Sequence, residues 1–318
     1  MRARGRTRFD PATEFKKNQW ELPVIKQSKT GLAFAIALAL ATSAGTVMAD
    51  SKGKDKDSSD DNKGGGASAC KVLASALDTT SGGIHAVLQT ALNSAVTADV
   101  SGLNLNMWAT LVNRDGVVCA VAFSGPNRNS QWPGSRVISA QKANTANAFS
   151  LDTLSLSTAN LYSAVQPGGS LYGLQESNPV DTDVAYKGTP SKFGKRNDPM
   201  VGERPGGVNV FGGGLALYNT SHKVVGAIGL SGDTSCADHA IAWRVRNNLE
   251  LDNLAGVGGV GPDAQHIDSV VFDIDAGASA GGFGHPVCIN SDNLNTPASP
   301  VTNAASSTYA ATLPASDH

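Results

Sequence analysis

The sequence predicts an α+β domain in which helices flank an antiparallel sheet. Two hairpins point to it, each a pair of apolar stretches about a short polar turn, together with helical stripes that stand before, between and after them. Short turns imply antiparallel pairing, because a parallel pair needs a long crossover.

The first helix is read at Ser81–Thr97, where Ile84, Val87, Leu88, Ala91, Leu92, Ala95 and Val96 share one stripe that must cover a sheet. Leu103, Leu105, Met107, Ala109 and Leu111 then alternate with Asn104, Asn106, Trp108 and Thr110, as in a strand. Asn113-Arg114-Asp115-Gly116 makes the turn, and Val117, Cys119, Val121 and Phe123 alternate on the return. Ser135 can cap the next helix, SRVISAQKANTANAF, whose Ala140, Ala143 and Ala146 permit close packing on a flat surface. A short helix at Ser157–Val165 stops at Pro167-Gly168-Gly169. Residues 175–211 form a Gly/Pro-rich connection, longer than compact domains leave structureless, and carry Lys187, Lys192, Lys195, Arg196 and Arg204. Such a loop suits a lid or an oligomer contact.

Leu215 and Leu217 begin the second hairpin, Asn219–Lys223 turns it, and Val224–Leu230 returns as a buried strand. Asp233, Thr234 or Ser235 can cap the following helix, whose Ala237, Ile241, Val245 and Leu249 recur every four residues. Ser269–Ile274 suits a last strand, giving the order α-β-β-α-α-β-β-α-β. Gly226, Gly229 and Gly232 strip side chains from the approach to this helix, so a ligand or a packed element can lie close to the backbone. Their G-x-x-G-x-x-G spacing differs from the dinucleotide fingerprint, and Ser231 lacks the second glycine of a nucleophile elbow.

The ends of the chain read differently. Eight Lys/Arg precede the apolar run Gly31–Ala41, and Val47-Met48-Ala49 offers the small residues of a cleavage site, so residues 1–49 are read as a signal peptide. Its removal takes eight basic and three acidic side chains from totals of 25 and 27, leaving 17 against 24 and a formal net charge of −7. An acidic mature protein argues against nucleic acid, and the short apolar run against a membrane span once cleaved. Residues 50–69 are a mixed-charge, glycine-ending linker, 70–295 a single domain, and 296–318 a tail of disordered composition. The expected location is the periplasm or the medium.

Four cysteines, Cys70, Cys119, Cys236 and Cys288, fall within the domain, and export permits disulfides. Three pairings are open; Cys70–Cys119 with Cys236–Cys288 would staple each peripheral segment to the core. No pair has C-x-x-C spacing, which speaks against metal binding by these cysteines and excludes covalent c-type haem.

NRDGVVCAVAF, QKANTANAF and GGGLALYNTSHKVVGAIGLSGDTSCADHAIAW, following an amphipathic helix in this order and spacing, resemble the GlcG/HbpS-type haem-binding family, whose domain also closes the corrinoid adenosyltransferase PduO. The resemblance spans about Ser81–Trp243. This sequence departs from the family in Ala216 where proline is usual, in Ala237-Asp238-His239 where an Asp-Glu pair is common, and in the 175–211 insertion. The resemblance implies a profilin-like fold, homo-oligomers, and non-covalent haem binding linked to sensing, storage or slow degradation. Other readings are an exported enzyme acting on a small organic acid and a structural oligomer without haem; no catalytic spacing is evident.

Haem requires an apolar slot, an axial donor and polar or basic groups for its propionates. His85, at the start of the first helix, and His239, behind the glycine-rich strand, are the leading iron ligands, ahead of His222, His266, His285 and His318. Lys142 and Thr145 are placed to meet a propionate. The expected cradle lies against Gly226, Gly229, Gly232 and the helix N-terminus, which favours an anion.

Overall fold

A computed structural model describes residues 68–80, 82–289 and 313–316. The expected signal peptide, most of the linker and most of the tail lie outside them. The chain enters through α1 (Lys71–Ala76) and α2 (Ile84–Ala98), then β1 (Trp108–Asn113) and β2 (Val118–Phe123). There follow α3 (Ser135–Ala148), α4 (Leu174–Ser177), α5 (Thr182–Ala185), β3 (Gly214–Tyr218), β4 (Val224–Ser231), α6 (Ser235–Asn248), and a small hairpin of β5 (Ile274–Asp275) and β6 (Ala278–Ser279).

Both expected hairpins form, and they join edge to edge into one antiparallel sheet of order β2-β1-β4-β3. Trp108 thereby stands opposite Phe123 on one side and Ser231 on the other. Ala109, Leu111, Leu215, Leu217, Ile228 and Leu230 bury one face of the sheet in the core that also holds residues of α1, α2 and α6. Trp108, Val112, Val118, Val121 and Ala227 meet Ala140, Ala143 and Ala146 of α3 on the other. Except for Phe123, every strand residue of this sheet is buried, so the alternation in sequence separates two dry faces. Burying a large aliphatic side chain such as Leu88 or Leu92 of α2 contributes about 1.5–3 kcal/mol.

Several elements differ from expectation for local reasons. Leu103–Leu105 do not extend β1, because the Asp233 carboxylate accepts from the Leu103 and Leu105 amides at 2.8 and 2.9 Å and bends the segment. Helix α3 begins after Gly134 with no side-chain cap; the Ser135 hydroxyl instead meets Ser231 Oγ at 3.1 Å. Thr234 caps α6, accepting from the Ala237 amide. The expected helix at 157–165 is two 3-10 turns, Thr158–Leu161 and Ser163–Val165. Of the expected 269–274 strand only Ile274 lies in β5, although Val270 and Phe272 are fully buried and the Val271 carbonyl accepts from the His285 amide. Residues 313–316 are packed where an unstructured tail was expected: Leu313 is buried, and the Trp243 indole donates to the Pro314 carbonyl at 2.9 Å.

Two disulfides form, Cys70–Cys119 and Cys236–Cys288, across 49 and 52 residues. Loops of that size correspond to about 4 kcal/mol of chain entropy each. Among the described residues no helix is long and apolar enough to cross a membrane.

Candidate functional site

The glycine-rich strand end is closed by the protein itself. A Cβ on Gly229 would run into the Ser139 carbonyl and the Ala143 amide of α3; one on Gly226 would meet the Val112 carbonyl, and one on Gly232 the Asn106 carbonyl. These glycines let backbone lie on backbone, and the space expected for a ligand holds a helix. Lys142 is buried and gives its ammonium to Asp238 at 2.6 Å, while Asp238 also accepts from the Gly232 and Asp233 amides at 3.1 and 2.8 Å. Burial pushes the Asp238 carboxyl up to about 6 and the Lys142 ammonium down. The Thr145 hydroxyl donates to the Gln141 carbonyl at 2.7 Å and accepts from the Asn209 amide at 3.0 Å. Neither side chain faces an open slot, so the predicted cradle does not fit a haem.

His239 is likewise enclosed. It has no exposed surface and lies 6.1 Å, centroid to centroid, from Trp243, whose indole also packs against His266 at 5.6 Å. Burial pushes its pKa down to about 3; Arg246, His285 and Lys142 act in the same direction, and Asp268 opposes them. The unfolded chain takes up a proton near the ordinary value of 6.5 while the folded chain does not, so the neutral histidine contributes stability above about 6.5 that is lost as pH falls towards 3. The expected result is an unfolding free energy that drops by up to about 1.4 kcal/mol per pH unit in that window. His239→Gln should flatten this acid limb in denaturant titrations between pH 7 and 5, and equal slopes in both proteins would refute the assignment.

His85 is different. It lies in the first turn of α2, partly exposed, with Nε2 at 3.0 Å from the Gly194 carbonyl. A carbonyl only accepts, so Nε2 carries the proton and Nδ1 the lone pair. Gly194 belongs to the long 175–211 connection and adopts a left-handed φ of 72°; a Cβ there would strike the Phe123 ring, with Trp108 beside it. Asp198 holds this stretch in place: buried, it accepts from the Gly194 amide at 2.7 Å, the Met200 amide at 2.9 Å and both arms of the Arg136 guanidinium. Arg136 in turn donates to the Ala185 carbonyl and stacks 3.7 Å over the Phe193 ring. Lys192, Lys195 and Arg196 flank Gly194 and are exposed. A partly exposed imidazole and aromatic rings thus meet at Gly194, with three exposed cations beside that residue in sequence.

A third polar group gathers at the start of α6. Ser235 Oγ lies 2.7 Å from His285 Nε2, and His285 Nδ1 lies 2.7 Å from the Pro286 carbonyl. The Tyr162 ring packs on His285 at 5.2 Å, and Tyr162, Gln166 and Pro286 help line a neighbouring cavity of about 550 Å³ that bears no imidazole or thioether.

A family model described as "Haem degrading protein HbpS-like" matches residues 84–246, just over half of the chain. The chain belongs to the HbpS-like family. Two solved structures resemble it. Klebsiella pneumoniae protein ORFY is 24% identical, the alignment covering 52% of this chain and 89% of that one, with a TM-score of 0.35. The second is a PduOC:heme complex, 23% identical, covering 51% and 89%, also with a TM-score of 0.35. No curated protein matches.

Within the HbpS-like segment lie His85, His239, Lys142, Thr145 and the three glycines, while Cys70, His285 and Cys288 lie outside it. Each disulfide joins a cysteine inside the matched segment to one beyond it. Sequence reasoning missed Gly194 and Ser235 as partners of His85 and His285, and Arg136 and Asp198 as the pair that fixes the Gly194 stretch. Only the basic run around Gly194 and the placement of His285 three residues before a cysteine offered a signal.

Proposed function

We propose that this protein is exported and binds haem non-covalently, with His85 as the residue that would hold the iron and Lys192, Lys195 and Arg196 as those that would meet the propionates. The observation that carries the reading is the His85 imidazole itself: among the candidate ligands His85 and His239, it is the one at the surface, in an aromatic and cationic setting suited to a planar dianion. Membership of a family described as haem-degrading supports it, as do residues 26–49 and two disulfides for export. Bound haem supplies an iron centre at which oxygen chemistry takes place. The chain's own part is to hold the imidazole by its helix, to cover Nε2 with the Gly194 carbonyl until that stretch is released, and to present positive charge beside it. Storage and slow breakdown are the roles this arrangement serves; homo-oligomer formation rests on the family resemblance.

Haemin titration followed by absorbance tests the reading. One haemin per chain is expected for the wild type, and His85→Ala should bind at least tenfold more weakly with a shifted Soret maximum. Unchanged affinity and spectrum in the variant would remove His85 as the ligand. Loss of the Soret band with a reductant and oxygen would select breakdown over storage.

A further inference from the structure

The start of α6 holds three soft or borderline ligand atoms: the sulfurs of Cys236 and Cys288 and a ring nitrogen of His285 all lie within 4.8 Å of one another. The sulfurs are joined as a disulfide. We propose that this cluster is a latent metal site, closed while Cys236 and Cys288 are oxidised and opened by a dithiol to bind one zinc ion.

The surroundings suit both states. Because Nδ1 faces the Pro286 carbonyl, it carries the proton and Nε2 the lone pair, which now accepts from the Ser235 hydroxyl. An imidazole oriented by a backbone carbonyl is the usual arrangement behind a metal-bound histidine. Cys236 is the second residue of a fourteen-residue helix, and its amide donates to Cys288 Sγ at 3.1 Å. Donation to sulfur and the positive helix end both stabilise a thiolate, so they ease reduction and prepare the ligands. Two thiolates and an imidazole form a donor set that prefers zinc to magnesium or calcium and leaves a fourth position for water. The ligands are scattered in sequence, one on α6 and two in the segment HPVC, which is why no C-x-x-C motif announces them.

Access distinguishes this bridge from the other. Cys288 is partly exposed, whereas Cys70 and Cys119 are 5% and 8% exposed. A dithiol's thiolate attacks Cys288 Sγ, and Cys236 leaves as the thiolate at the helix end. The reductant's second thiol then attacks its own first sulfur, releasing Cys288 and leaving as a disulfide that has given two electrons to the pair Cys236 and Cys288. Zinc displaces the two thiol protons when it binds.

The test uses the full chain, reduced anaerobically with a limited amount of dithiothreitol, then freed of reductant and titrated with Co2+ alone. Alkylation and mass mapping should place the two new thiols at Cys236 and Cys288. One Co2+ per chain should bind with a thiolate-to-cobalt charge-transfer band and a tetrahedral visible spectrum, both erased by Zn2+, and the oxidised protein should show neither. His285→Ala should free the same two thiols but bind Co2+ at least tenfold more weakly. Two mapped thiols without a stoichiometric charge-transfer band would overturn the site, as would release of those thiols only on global unfolding seen by circular dichroism. A band unchanged in His285→Ala would overturn the three-ligand assignment. The Cys70→Ser/Cys119→Ser double variant, which keeps only the Cys236–Cys288 bridge, should reproduce the wild-type titration; failure to do so while folded would place the metal elsewhere.

Discussion

Gly229→Val is expected to abolish cooperative folding. Gly229 sits in β4 between Thr110 of β1 and Gly214 of β3, and α3 lies directly on it, so that an added Cβ would enter the Ser139 carbonyl and the Ala143 amide. Neither obstacle is the end of a flexible side chain. Relief requires α3 to lift from the sheet, which would part Ala140, Ala143 and Ala146 from Trp108, Val112 and Ala227. The expected loss exceeds about 4 kcal/mol, among the largest single-residue effects. Denaturant unfolding monitored by circular dichroism measures it, with Gly229→Ala as the milder member of the series. A valine variant with the wild-type midpoint would mean that α3 is not seated here.

Asp198→Ala should act on stability and on the proposed haem site in opposite directions. The substitution leaves the Arg136 guanidinium buried without its carboxylate and strands the Gly194 and Met200 amides. Removing one partner of a buried pair costs about 3–5 kcal/mol. The same change loosens the stretch that places the Gly194 carbonyl on His85. Unfolding free energy should therefore fall while haemin affinity rises, both measured on the same preparation at a temperature where the variant is folded. Joint loss of stability and affinity would show that the stretch builds the site instead of guarding it.

The parts of this fold that were legible in sequence are those whose signal is local and periodic. The stripe from Ile84 to Val96 gave α2, the turn at Asn113–Gly116 gave β1 and β2, and the alanines of QKANTANAF announced the flat helix that rests on the sheet. Misreadings arose where a distant group overrode the pattern. Leu103 and Leu105 alternate like strand residues, but a carboxylate about 130 positions away takes their amides. Lys142 looked available because its partner, Asp238, is 96 residues on. The glycines of β4 were correctly read as places of close approach, yet sequence cannot say whether a ligand or a helix approaches. His85 stood out through its place on α2, whereas the carbonyl resting on it comes from a loop 109 residues later.

That carbonyl makes the proposed site compete with its own chain. If His85 must shed Gly194 to offer its less hindered nitrogen, only the fraction of molecules with the loop released is competent, and the apparent dissociation constant equals the intrinsic one divided by that fraction. Release in about one molecule in a hundred would weaken binding about a hundredfold without altering a single ligand contact. Affinity then becomes a property that substitutions between Phe193 and Met200 can set, independently of the residue that holds the iron.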